Sequence, residues 1–328
     1  MRYDTILGYV KDTFELFRLR NLPEPFYFDD KSSLAATVLR NIRDEENIAD
    51  QRPPITPEMF AEMLKTSEVS DFLSAQCSIA DLAILGRYLG PRLAEYGQKS
   101  QKRPEYHIYP SGKAVLKAWS QDDIIFYDKN NQRITPDSIR GINIPTRISV
   151  TFKIQKNRRN GEVKQVLYDP NNTEMCPVKA AYRIVYRAIL LQQPSYLPVC
   201  VYKNTKSEVT YITGSAISKY FRQMAKKAHP TMTETERKRY SAHSIRVTAA
   251  VLLHEHGCNG DYIKIQLRWQ GDSYRVYLRS TKTILKHHTT ALSNSAALSI
   301  KLANVDQNVS YSAEQLSHEE MGKYDDIE

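Results

Sequence analysis

Cysteine is scarce in this chain of 328 residues: Cys77, Cys176, Cys200 and Cys258 lie far apart, with no C-x-x-C pair among them. That spacing argues against a disulfide framework and against a structural zinc site, and it fits a reducing compartment. Long apolar runs are also missing. No stretch approaches the roughly 18 apolar residues of a membrane helix, so no membrane span is expected. The opening MRYDTILGYVKD lacks the apolar core and cleavage site of a secretory signal. There is no glycine-rich phosphate loop, no cluster of acids suited to a metal, no internal repeat and no long low-complexity tract. Neither a cofactor nor a metal is therefore expected.

What is present is positive charge on an otherwise ordinary globular composition, 41% hydrophobic and 25% charged. The length suits one large domain or two modest ones with a real core. The net charge is +9, and it is uneven. From Ser312 to the end there are six acids and one lysine, a net −5, so the rest of the chain carries +14. A surplus of that size points to a polyanionic partner, nucleic acid first among them.

Apolar residues fall at helical spacing in Ile6, Leu7, Val10, Phe14 and Phe17, and again in Leu34, Val38, Leu39 and Ile42. QRPPITPEMFAEML reads as a linker and then a helix start, with Thr56 as N-cap and Pro57 in the first helical position. Beyond it SIADLAILGRYLG is an apolar helix, while YHIYP, DIIFYD and RISVTFKIQ read as short strands. NRRNGEV, with Asn160-Gly161, predicts a hairpin turn between TFKIQK and KQVLYD. From Cys176 the pattern is mostly helical, and Gly257 sits where a C-cap glycine belongs. The expected fold is mainly α with a small antiparallel β-sheet (α+β). The expected divisions are a short helical domain and linker over 1–65, a catalytic domain over 66–308, and an acidic, disordered tail over 309–328.

Within SAHSIRVTAAVLLHEHGCNGDYIKIQLRWQGDSYRVYLRS, His243 and Arg246 lie three apart and share a helix face. Gly257 follows His243 by fourteen residues, Trp269 by twenty-six, and Tyr277 lies eight after Trp269. An isolated H-x-x-R is most often a solvated helix face; the surroundings raise its interest. This register resembles the tyrosine recombinases, or phage integrase family, and LRWQGDSYRVYLR is most similar to the eukaryotic transposon-borne branch. Tyr277 stands one residue earlier than the usual family tyrosine, where this chain has Leu278, and Tyr274 is the alternative nucleophile. The resemblance also asks for an earlier G-x-R-x-x-E, which LGPRLAEYGQ supplies as Arg92 and Glu95; nearby Arg87 lacks the matching acid. It asks for a hairpin lysine, for which Lys156 is the first choice and Lys153 the alternative.

What the resemblance implies is a site-specific recombinase that cuts and rejoins DNA strands through a 3′-phosphotyrosyl intermediate. Arg92 and Arg246 would hold the non-bridging phosphate oxygens as planar forks, which lysine could not do as well. Tyr277 would attack phosphorus, His243 would accept its proton, Lys156 would protonate the departing 5′ oxygen, and Trp269 would donate its indole N–H to the phosphate. Lys153, Arg158, Arg159, Lys164 and Arg268 are candidate contacts to the DNA backbone. The implied partners are double-stranded DNA and three further copies of the chain in a DNA-bound tetramer, with TALSNSAALSIKLANV as a docking helix; no membrane is involved. A nuclear location follows from the branch. Only two or three helices precede the linker, so a reduced or incomplete N-terminal clamp is expected. Two rivals share the chemistry: a DNA-binding descendant without turnover, and a type IB topoisomerase. HEHGC lacks metal-ligand spacing and is not read as a metal site.

Overall fold

The structure, a computed structural model, describes residues 3–23, 34–44, 52–135, 138, 145–156 and 159–278. It divides into two compact units, Met1–Arg52 and Pro53–Glu328. The first contains α1 (Tyr3–Leu19) and α2 (Leu34–Asp44), whose predicted apolar stripes bury Phe14 and Leu39. The sequence-based boundary after residue 65 lies inside the second unit. The reason is α3 (Pro57–Glu68): Thr56 caps it, accepting from Met59 N at 3.3 Å, and its stripe of Met59, Phe60 and Met63 is buried in the main core of the second unit.

The second unit is α+β, mostly helical with small antiparallel sheets, as expected. Helix α4 (Ala75–Leu89) is buried on nearly every side. It ends at Gly90, whose φ of +52° is the left-handed cap conformation that a side chain strains to adopt. Then come the short α5 (Leu93–Tyr96), a hairpin of β1 (Tyr106–Ile108) and β2 (Ala114–Leu116), and a four-stranded sheet. That sheet comprises β3 (Ile124–Tyr127), β4 (Arg133–Ile134), β5 (Arg147–Phe152) and β6 (Glu162–Leu167), in the order β4-β3-β5-β6. Alternation along β5 buries Ile148, Val150 and Phe152. The predicted β5–β6 hairpin forms, with Phe152 opposite Glu162 and Gly161 at φ +83°.

Helix α6 (Pro177–Leu190) is joined to α4 by polar contacts inside the core. Buried Asp81 receives Arg183 Nε at 2.5 Å and Arg187 Nη2 at 2.7 Å. A second hairpin, β7 (Val201–Lys203) with β8 (Val209–Tyr211), leads to α7 (Gly214–Ala228), the short α8 (Glu234–Lys238), α9 (Ser244–Glu255), α10 (Gly260–Leu267) and α11 (Arg275–Leu278). Gly86 lets α9 lie against α4: a Cβ there would stand 2.3 Å from Ile245 Cγ2. This close approach brings the start of α9 beneath the end of α4.

Elements of two to five residues, namely β2, β4, β7, β8, α5 and α8, had no periodic signature long enough to read in advance. Among the described residues no helix is long and apolar enough to cross a membrane. The acidic tail, the TALSNSAALSIKLANV segment and Arg158 lie outside the described residues.

Candidate functional site

The site is built where three chain segments end near one another: the C-terminal end of α4, the N-terminal turn of α9, and the stretch from Leu267 to Leu278. His243 is the N-cap residue of α9, and Arg246 follows one turn later. Arg246 is 2% exposed. Its Nη1 donates to Gly90 O and its Nη2 to Leu267 O at 2.7 Å, so both chain ends are tied to one guanidinium. Trp269 lies over it, 4.2 Å from ring centre to guanidinium carbon. Burial, together with the charges of Arg92 and Arg268, pushes the Arg246 pKa down to about 9, which leaves it charged at neutral pH.

Arg92 stands at the N-cap of α5. Its Nη1 meets Glu95 Oε1 at 3.2 Å, its backbone N–H meets Glu95 Oε2 at 2.7 Å, and its Nη2 donates to Arg268 O at 3.1 Å. The dull alternative, an arginine that merely caps a helix, describes part of this arrangement. However, the contact with Arg268 O ties Arg92 to the Trp269 segment.

Arg268 is placed otherwise than its reading as a DNA contact requires. It adopts φ +59° and is 0% exposed. Its guanidinium donates to Glu95 Oε2 at 2.7 Å, Leu89 O at 3.0 Å and Gln155 Oε1 at 3.1 Å, and it stacks on Phe152 at 3.4 Å. A guanidinium so enclosed cannot reach a phosphate. Its burial comes from the left-handed turn that ends α10, which directs the side chain inward.

Tyr277 Oη lies 2.8 Å from His243 Nε2, and the Tyr277 ring is 5.9 Å from that of Trp269. Burial raises the phenol's pKa, partly opposed by the Arg246 charge. Tyr274 is 2% exposed and sits in a small apolar cluster with Val247, Ile263 and Leu267, its hydroxyl against Gly260. The indole N–H of Trp269 is buried with no hydrogen-bond partner among the described residues. His243, Arg246, Trp269, Tyr277 and Arg92 are therefore brought together.

The hairpin cations divide. Lys153 Nζ pairs with buried Asp123 Oδ2 at 2.5 Å and reaches Ser120 Oγ at 3.2 Å, so it locks β5 to the turn before β3 instead of facing a ligand. Lys164 Nζ is held by Ile265 O at 2.8 Å and Glu162 Oε1 at 3.0 Å, so it too is occupied internally. Lys156 and Arg159 are exposed in the β5–β6 turn. That turn is joined to the arginine cluster, because Gln155 contacts both Arg268 and Asn160.

Sequence reading missed Gln155, Lys219 and Arg222. A cleft of about 570 Å³ beside His243 is lined by Leu93, Ser218, Lys219, Arg222 and Ser241. Arg222 fixes the approach to His243 by donating to Tyr240 O and Lys238 O, each at 3.2 Å. Lys219 and Arg222 lie three apart on α7, the same spacing that singled out His243 and Arg246.

No family model matches the chain, and no curated protein matches it. Among solved structures it is similar to the XerA recombinase, at 13% identity and a TM-score of 0.40, covering 78% of this chain and 72% of that one. It is similar to the Tn1549 transposon integrase in complex with transposon right end DNA, at 12% identity and a TM-score of 0.46, covering 89% and 80%. It is also similar to the XerH site-specific recombinase bound to difH substrate, at 11% identity and a TM-score of 0.38, covering 88% and 70%. At these identities and TM-scores the likenesses assign no activity to this chain.

Proposed function

We propose that this chain is a tyrosine recombinase, a DNA strand transferase that cuts and rejoins strands through a covalent phosphotyrosine. The observation that carries this reading is the 2.8 Å contact between His243 Nε2 and Tyr277 Oη, made beside a buried, charged Arg246. A phenol whose pKa is raised by burial is a poor nucleophile at neutral pH, so it needs a base within hydrogen-bond reach. His243 with Nδ1 protonated presents Nε2 as that base.

In the proposed reaction Tyr277 Oη forms a bond to phosphorus and its proton passes to His243. The bond from phosphorus to the 5′ oxygen breaks, and Lys156 supplies the proton that oxygen needs. The products are a 3′-phosphotyrosyl enzyme and a free 5′ hydroxyl, and the reverse steps rejoin a strand. Neither nucleotide nor metal enters this balance. Arg92 and the three N–H groups of Arg246 not given to carbonyls would neutralise the charge that develops on the non-bridging oxygens. The Trp269 indole N–H, which has no partner among the described residues, would be a further donor. Trp269 covers Arg246 here, so a phosphate reaches that guanidinium once the Trp269 ring swings aside. A mobile-element origin and a tetramer on DNA belong to the same proposal.

The test uses the full chain and a library of randomised DNA duplexes, each with one nick that traps cleavage. A denaturant-resistant protein–DNA adduct should form, disappear in Tyr277→Phe and survive in Tyr274→Phe. Retarded DNA without any adduct would overturn catalysis in favour of binding alone. Relaxation of supercoiled plasmid without site preference would reassign the chemistry to a topoisomerase.

A further inference from the structure

We infer that the β1–β2 hairpin is a second nucleic-acid contact, which grips the phosphate backbone of the duplex beside the Tyr277 pocket; this rests on the function just proposed. The register is the starting point. Tyr106 faces Leu116, His107 faces Val115 and Ile108 faces Ala114. The ladder continues at both ends, with Tyr109 N donating to Lys113 O and Lys117 N donating to Glu105 O. Alternation therefore puts Glu105, His107 and Tyr109 on one face with Lys113, Val115 and Lys117.

That face is directed at the pocket's rim. Tyr109 Oη accepts from Asn160 Nδ2 at 3.3 Å, in the β5–β6 turn that carries Lys156 and Arg159. Four hydrogen bonds then connect the two hairpin tips to the site: Asn160 to Tyr109, Gln155 to Asn160, Arg268 to Gln155 and Arg92 to Arg268. The two tips are thus neighbours on one side of the cluster.

The charge is strongly positive. Lys99, Lys102, Arg103, Lys113 and Lys117 fall within nineteen residues that contain one acid, Glu105. Glu105 pairs with Lys99 and Lys117, at 3.2 and 2.5 Å. Lys102, Arg103 and Lys113 are exposed and have no carboxylate partner among the described residues. The bland reading is a solvated hairpin. Two facts favour a grip: the hairpin's strands are only three residues each, a marginal structure alone, and its tip is held by a bond to the cationic turn. Lys113 stands opposite Tyr109 across the hairpin, and the Tyr109 ring meets that of His107 edge-on at 4.6 Å, so a cation and an aromatic pair share the face, which suits a phosphate and its sugar.

The experiment measures binding of the full chain to a labelled duplex by anisotropy over a series of salt concentrations. Each phosphate contact contributes about 0.9 to the slope of log affinity against log salt. Lys113→Gln should lower that slope by about one, and Lys113→Arg should restore it. Between 50 and 200 mM salt the variant should lose about threefold less affinity than the parent chain does. Lys129→Gln, in the β3–β4 turn at the far end of the sheet, should leave the slope unchanged. A Lys113→Gln slope equal to that of Lys129→Gln overturns the inference. The two proposals fail separately: without any adduct the slopes still report on the hairpin, and with an adduct but unchanged slopes only the hairpin contact is lost.

Discussion

Arg268 offers the sharpest test of how the site is held together. Replacing it with alanine removes one of the two donors to Glu95 Oε2, two further hydrogen bonds and the stack on Phe152, all fully enclosed. Breaking a buried ion pair by deleting one member typically costs about 3–5 kcal/mol, because the other charge remains desolvated. Here Glu95 keeps Arg92, through its guanidinium at 3.2 Å and its backbone N–H at 2.7 Å. The lower end, about 3 kcal/mol, is therefore expected. For a unit of this size that corresponds to a fall in melting temperature of roughly 6–12 °C. The backbone adds a second signature. Position 268 has φ +59°, where alanine is worse than glycine by about 1 kcal/mol, so Arg268→Gly should be the milder variant. Glu95→Gln should cost less in the Arg268→Ala background than alone, since the charge it removes has then already lost one of its two arginine partners. Urea unfolding of the four variants measures the free energies, and thermal unfolding the melting temperatures. An Arg268→Ala variant within 1 kcal/mol of the parent, whose DNA-binding salt slope drops by about one, would mean that Arg268 faces a phosphate and the inward placement is wrong.

Gly90 ends α4 at φ +52°, and a Cβ there would meet Leu267 Cδ2 at 2.8 Å. Gly90→Ala should cost about 1–2 kcal/mol from the backbone alone, measured by thermal unfolding. It should also reduce adduct yield, since Gly90 O and Leu267 O both hold Arg246. The pH profile of adduct formation tests His243. Burial keeps the Tyr277 phenol protonated to beyond its ordinary value near 10, so unaided attack would gain about tenfold per pH unit up to that range. With His243 as base the rise should level off well below pH 10, and His243→Ala should convert it to the continuing climb. A profile unchanged by His243→Ala would remove the histidine from the proton path.

Much of the layout could be read from local pattern. The N-cap at Thr56, the apolar run of α4, the Asn160-Gly161 turn and the H-x-x-R face of α9 each depend on residues a few positions apart. Short elements such as β4 and α8 escaped because two to five residues carry no period. Whether α3 belongs with the elements before it or after it cannot be read from its apolar stripe; only the core that receives Met59 and Met63 decides that.

The same division runs through the candidate site. By itself the sequence determined which residue types are available and how far apart they lie along the chain, and hence the helix face shared by His243 and Arg246. The tertiary structure decided which charges face inward. Lys153 and Lys156 are equivalent as letters, yet Asp123 takes one and leaves the other in solvent. Arg268 precedes Trp269 and reads as surface, yet Glu95, far away in sequence, draws it into the core. The reason is electrostatic: a buried charge needs a partner at hydrogen-bond distance, and which partner stands there depends on how distant elements pack, which no local spacing records.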